Sequence, residues 1–248
     1  MKKINLCKKG KKIMENIKWT DIQYNVMFEA IPNIRDKAAE FEQCLEKDFP
    51  DRFNILQNMP NLPNSVPRMM ASNINGLSIN ISAESISLTK NAIKDDDIEI
   101  AVFTNKAISL DALLQKIECK ELFSGIILRG YIDLEEDPVI YIRKNFLKIE
   151  PKKAIYDIQT KFTFEINDKY YLNITLANFR KRQDKSFLAI EIDVNDRYRF
   201  NLKKEDYPYS DKEVMKNIKN LLEVILNAKI MRFIETGEFD DEQFKSIK

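Results

Sequence analysis

Three times in succession between Ile158 and Val194 the sequence alternates apolar and polar residues, and this alternation leaves few folds open. IQTKFTFEI puts Ile158, Phe162, Phe164 and Ile166 on one side. YYLNITLAN does the same with Leu172, Ile174 and Leu176, and SFLAIEIDV with Leu188, Ile190, Ile192 and Val194. A period of two is the pleat of a strand with one face buried. The connections, Asn167-Asp168 and the polar run RKRQDK, are short. Three such strands joined by short polar turns predict an antiparallel meander with one wet face.

The first half carries the same signature. IQYNVMFEA presents Ile22, Tyr24, Val26 and Phe28, and LSINIS, preceded by the hairpin pair Asn75-Gly76, presents Leu77, Ile79 and Ile81. SISL and IEIAVF follow with Ile86 and Leu88, then Ile98, Ile100 and Val102, all read as strand. A further strand covers Ile126, Leu128, Gly130, Ile132 and Leu134. Helical spacing appears at Ile34, Ala38, Phe41, Leu45 and Phe49, with Asn33 as the predicted cap, and in a shorter segment from Ser109 through Leu110, Leu113, Leu114 and Ile117. DPVIYIRKNFLKI suits a helix entered at Pro138 and also suits a strand. A long C-terminal helix is predicted over 211–235: Ser210 and Glu213 form a capping box, Val214, Ile218, Leu221, Leu222, Ile225 and Phe233 form a broad apolar stripe, and Gly237 ends it. NMPNLPNSVPRM, with three prolines, reads as an irregular connector.

The resulting fold class is α+β: an antiparallel sheet of about eight strands with helices packed on one face. The sequence of strand, helix and hairpin strands occurs once before about residue 92 and again after it, which suggests two related halves sharing one sheet. A single domain over 19–248 is preceded by a basic arm, 1–18, with seven lysines against Glu15. That arm is net +6, so the remainder is net −5 within a total of +1. Lys2, Lys3, Lys8, Lys9, Lys11 and Lys12 make it a candidate for sequence-independent phosphate contact, against the plainer reading of a solubilising terminus.

Composition narrows the chemistry. The chain has no histidine, which removes Ser/His/Asp and Cys/His nucleophile arrangements and HExxH metal sites. Its five glycines do not build a phosphate-binding loop. Cys7, Cys44 and Cys119 are widely spaced, as reduced thiols are, and no run of about 18 uncharged apolar residues predicts a membrane span, so a cytoplasmic protein is expected. No catalytic residue, cofactor or metal site is read from the sequence.

One residue stands against its surroundings. In FSGIILRGYIDLEE, Arg129 lies on the face opposite Ile126, Leu128 and Ile132, with Ile127, Tyr131 and Asp133. Asp133 is four residues along the strand, about 13 Å away, so the partner of Arg129 must come from a neighbouring strand or a ligand. The meander's polar face offers Lys161, Glu165, Glu191 and Asp193. A solvated face with cross-strand ion pairs is the plain reading of this set. Its alternatives are a ligand or partner site built on Arg129, Tyr131, Asp133, Lys161, Glu165, Glu191 and Asp193, or a metal-dependent hydrolase or nuclease with Asp133, Glu165, Glu191 and Asp193 as hard oxygen ligands and Lys161 stabilising charge.

MFEAIP near the start, GIILRGYID in the middle and AKIMRFIETG near the end together resemble a sporadically distributed family of uncharacterised bacterial proteins of similar length. That family opens with an amphipathic strand ending in Glu-Ala, carries a mid-chain Gly-x-x-x-Arg-Tyr-Ile strand and closes with a long helix. The likeness spans most of 20–237, with an inserted Gly130 and no histidine in the last helix as departures. It implies no activity. Its patchy distribution implies mobile elements or phage-defence islands, and with the absence of catalytic signatures it leads to the expectation of a non-enzymatic adaptor or accessory subunit with a protein partner.

Overall fold

The alternating segments join a single sheet. The computed structural model describes residues 17–57, 61–167, 169–180, 186–196, 213–226 and 230–238. In chain order these form β1 (Lys18–Phe28), a 3-10 turn (Ile34–Lys37) running into α1 (Ala38–Leu45), β2 (Asn54–Ile55), β3 (Pro67–Ser72), β4 (Leu77–Ser82), β5 (Ser85–Asn91) and α2 (Asp96–Lys116). Then come β6 (Glu121–Ile132), α3 (Pro138–Ile142) continuing as a π turn (Arg143–Leu147), β7 (Gln159–Ile166), β8 (Tyr170–Arg180), β9 (Ser186–Asn195), α4 (Val214–Val224) and α5 (Ile230–Thr236). The sheet has nine strands in the order β2-β3-β4-β5-β1-β6-β9-β8-β7, each pair antiparallel.

Two halves are visible in that order. Each runs strand, helix, three strands, helix, and in each the first strand lies beside the fourth: β3-β4-β5-β1 on one side, β7-β8-β9-β6 on the other. They meet where β1 pairs with β6, with Tyr24 opposite Ile126. Among the described strands only β2, beyond β3, has no counterpart.

One face of the sheet is the core. Ile22, Tyr24, Val26, Ile79, Leu88, Ile126, Leu128, Ile174, Leu176, Ile192 and Val194 are all buried there, under α2, α3 and α4. The stripe Val214, Ile218, Leu221, Leu222, Ile225 and Phe233 is buried as its spacing predicts. It is carried by α4 and α5 within the described residues, where the sequence suggests one long helix. Gly237 stops α5 with a positive φ of 72°. Ser210 lies outside the described residues, so the capping box does too.

Four local expectations need correction. IEIAVF is not a strand: α2 starts at Asp96, with the Asp95 side chain accepting a hydrogen bond from the Ile98 amide. Its buried residues, Ile100, Phe103, Ala107, Leu110 and Leu114, follow a helical period, whereas Ile98 and Val102 are exposed. Ser109 therefore caps nothing; its hydroxyl donates to Asn105 O within the helix. Asn33 makes no side-chain cap either, although its carbonyl accepts from Asp36 N. The proline-rich connector ends sooner than expected, because β3 already begins at Pro67, where the register shifts between Pro67 and Met69. Of the two readings of DPVIYIRKNFLKI the helix is correct, capped by Asp137 with Pro138 in the first turn.

Gly130 answers to packing. The register of β1 on β6 shifts between Trp19 and Asp21, which turns Trp19 inward onto Gly130. A Cβ on Gly130 would lie 2.7 Å from Trp19 Cε3 and 2.8 Å from Lys18 O. The backbone oxygen cannot yield easily, so Gly130→Ala is expected to lower stability by about 1–3 kcal/mol in a denaturant or thermal melt. An unchanged midpoint would show that the bulge relaxes without cost.

Candidate functional site: the open sheet face

Because the helices cover one face, the other side of the strands lies open, and its residues form rows across the sheet. One row reads Lys161, Thr175, Glu191, Arg129, Asp21 and Asn91 from β7 to β5. The next reads Thr163, Asn173, Asp193, Ile127, Gln23 and Thr89. Arg129 thus sits near the centre of the sheet, one strand from each carboxylate it needs.

Its Nε donates to Glu191 Oε2 at 2.7 Å and its Nη1 to Asp21 Oδ1 at 3.0 Å. Partial burial works against the guanidinium charge, but the hydrogen bonds to Asp21 and Glu191 outweigh it and raise the Arg129 pKa. Glu191 was among the residues singled out in the sequence. Asp21 was not, since nothing in the sequence says that β1 lies beside β6.

The pattern continues along the face. Gln23 Nε2 donates to Asn25 Oδ1 and to Ser87 Oγ, at 2.9 and 3.0 Å. Asp193 accepts from Asn195 and Asn173, and Asn173 accepts from Thr163. Burial raises the Asp193 pKa against the opposing effect of the Asn195 hydrogen bond and the Lys161 charge. Tyr131 packs edge-on against Phe187, with centroids 5.0 Å apart, and Lys18 Nζ stands 6.0 Å over the Tyr131 ring. Beside it a hollow of about 630 Å³ is lined by Lys18, Asp21, Asn91, Lys94, Asp96 and Tyr131 among others. The face is a polar, largely self-satisfied surface with an aromatic end.

The four carboxylates of the metal reading are not brought together. Glu165 stands opposite Tyr171 and Glu191 opposite Thr175, two strands apart and four residues offset, roughly 16 Å. Asp133 lies just past the end of β6. Among the described residues no group of three or more Cys, Asp or Glu could hold a metal ion. The arm lysines Lys2, Lys3, Lys8, Lys9, Lys11 and Lys12 lie outside the described residues.

A second constellation, under the helices, was missed altogether. Asp111 from α2, Glu121 and Ser124 from β6 and Asp196 after β9 converge below Tyr24 of β1. Asp111, Asp196 and Ser124 are buried. Asp196 Oδ1 accepts from Ser124 N at 2.7 Å, Glu121 Oε2 from Ser124 Oγ at 3.2 Å, and Asp111 Oδ2 from Gln115 Nε2 at 3.1 Å. Asp111 Oδ1 and Glu121 Oε1 find no hydrogen-bond partner, and the two carboxyls act on each other's titration. Burial, then the Asp111 charge, pushes Glu121 up to about 8; burial likewise pushes Asp111 up to about 6. The neighbouring Cys119 thiol is pushed up to about 12 by burial and by Glu121 and Glu29, so it stays protonated. One signal pointed here: Asp111 is a carboxylate inside the apolar stripe of α2, between Leu110 and Leu114.

The described residues contain no helix long and apolar enough to cross a membrane. No protein-family model matches the chain, and no curated protein matches it.

Proposed function

We propose that the protein is a non-enzymatic binding or adaptor protein, an accessory subunit that meets a protein partner through the open face of its sheet. The observation that carries this reading is the one-sided architecture. Helices bury one face, while the other presents an ordered array of polar side chains around Arg129 and an aromatic end at Tyr131 and Phe187. Side chains already held by their neighbours lose little freedom when a partner arrives, which favours recognition. Arginine and tyrosine are also the residues that most often dominate binding energy when a partner desolvates them. The resemblance to a patchily distributed bacterial family supports a partner among the products of adjacent genes, in a mobile-element or phage-defence setting.

The test pairs binding with stability. Arg129→Ala removes two ion pairs whose side chains are 38, 38 and 22% exposed for Arg129, Glu191 and Asp21, so its cost to folding is expected to stay within about 1 kcal/mol. Its effect on capture of the neighbouring gene products should be a loss of tenfold or more. A monomer that binds none of them and shows turnover of its own would overturn the reading, as would capture that is indifferent to Arg129.

A further inference from the structure

We infer that two copies of this chain pair through β7, antiparallel and centred on Thr163, to form one continuous sheet. The two outer edges differ. The outer edge of β3 is covered by β2, with Asn54 opposite Met70 and Ile55 opposite Met69. Among the described residues the equivalent edge in the second half, β7, is the end of the sheet order. It is eight residues long, pairs with β8 without a register shift and contains no proline, so shortness, a bulge and proline, three of the features that blunt an edge strand, are absent from it.

The ladder fixes which backbone groups point outward. Asn178 N donates to Ile158 O, and Ile158 N is bonded to the Asn178 side chain. Bonded and non-bonded pairs alternate in an antiparallel ladder, so Thr160, Phe162, Phe164 and Ile166 face β8. The amides and carbonyls of Gln159, Lys161, Thr163 and Glu165 then face away from the sheet.

The sequence of this edge complements itself. Lys161-Phe162-Thr163-Phe164-Glu165 is symmetric about Thr163 except that its ends carry opposite charge. An antiparallel copy centred there sets Lys161 against the second copy's Glu165 and Phe162 against its Phe164, each twice by symmetry. Centring on Thr163 also matches the ladder, because Thr163 is one of the residues whose backbone faces out. Neither Lys161 nor Glu165 takes part in a salt bridge within the described residues. Phe162 and Phe164 are only partly buried, resting on Phe233, and Phe162 also touches Phe146. Exposed Leu147, Ile149 and Tyr156 lie on the segment leading into the same strand. Opposite charges on the outer face and aromatic pairs on the inner one are the cross-strand contacts that select a partner and a register. The pairing is independent of partner binding at Arg129 and would double the open face.

The test is the mass of the full chain by light scattering on a sizing column over a range of concentrations, with melting curves for every variant. The parent is expected to run as a dimer of the 29.2 kDa chain at tens of micromolar. Lys161→Glu places like charges opposite each other twice and is expected to weaken the dimer on the order of tenfold. Lys161→Glu combined with Glu165→Lys restores the complementarity and should restore the dimer. Thr163→Pro, which blocks an outward-facing amide, should give a folded monomer. A parent that stays monomeric at about 100 μM overturns the inference, and so does a dimer that Lys161→Glu and Thr163→Pro leave intact. Failure of the double charge exchange to restore the dimer overturns the proposed register.

Discussion

Leu222→Asp is expected to abolish the folded state at neutral pH. Leu222 is 1% exposed, in the middle of the α4 face, with Ile218, Leu221 and Ile225 buried around it. α4 rests on β6 and β9, the strands beside the centre of the sheet. Truncating a buried leucine already costs about 2–5 kcal/mol. An aspartate adds a carboxylate at a position only 1% exposed, which must either stay charged at a further cost of several kcal/mol or take up a proton well above its ordinary pKa. The sum is comparable with the total stability of about 5–15 kcal/mol that a domain commands. The variant should lose its cooperative thermal transition and accumulate in the insoluble fraction. If it melts like the parent, α4 does not bury that face and the architecture is wrong at its most heavily packed layer.

The second large effect is on pH. Glu121 and Asp111 have folded-state pKa values of about 8 and about 6, both above the ordinary carboxylate range. The folded protein therefore holds protons that the unfolded chain releases between about pH 4 and pH 8. Stability falls wherever the native state binds more protons than the unfolded one, so this cluster's contribution is greatest in acid and declines as pH rises through 8. The decline amounts to a few kcal/mol over that interval. Glu121→Gln keeps the shape and removes the titrating carboxyl. It is expected to melt close to the parent at pH 5, to exceed it at pH 8.5, and to flatten the parent's downward slope between them. Equal slopes for the two proteins would mean that the pH dependence does not arise from Glu121.

The sheet was legible because burial on one face prints a period of two on each long strand. β7, β8 and β9 all match their alternation, and so do the inward residues of β1 and β6. The same rule misled at IEIAVF, where Ile98, Ile100 and Val102 alternate by coincidence and only Ile100 is buried. The better signal was the acidic run Asp95, Asp96 and Asp97, which caps and charges a helix start. β2, with two residues, has no period to read, and β3 begins at the last proline of the connector. At the open face the need of Arg129 for a cross-strand partner was legible. Asp21 was not, because strand order is set by packing across 108 residues of chain. The cluster around Asp111 and Glu121 was least legible of all, as its members come from separate parts of the chain, α2, β6 and the residue after β9, and only Asp111 breaks a local pattern.

The junction of the halves also governs how the chain reaches its fold. β1 is made before the other strands of the sheet, and in the finished sheet it lies between β5 and β6. One of its edges finds β5 within the first half, but the other waits for β6, about a hundred residues later in synthesis. During that interval a long strand with a Trp, Tyr and Phe-bearing inner face stands unpaired on one side, as an edge open to any other strand nearby. Of the strand pairings, the β1–β6 seam has the greatest loop to close, so it is expected to be the slowest of them to form. The price of a sheet this broad is thus collected early, in the time a nascent chain spends with its central strand half matched.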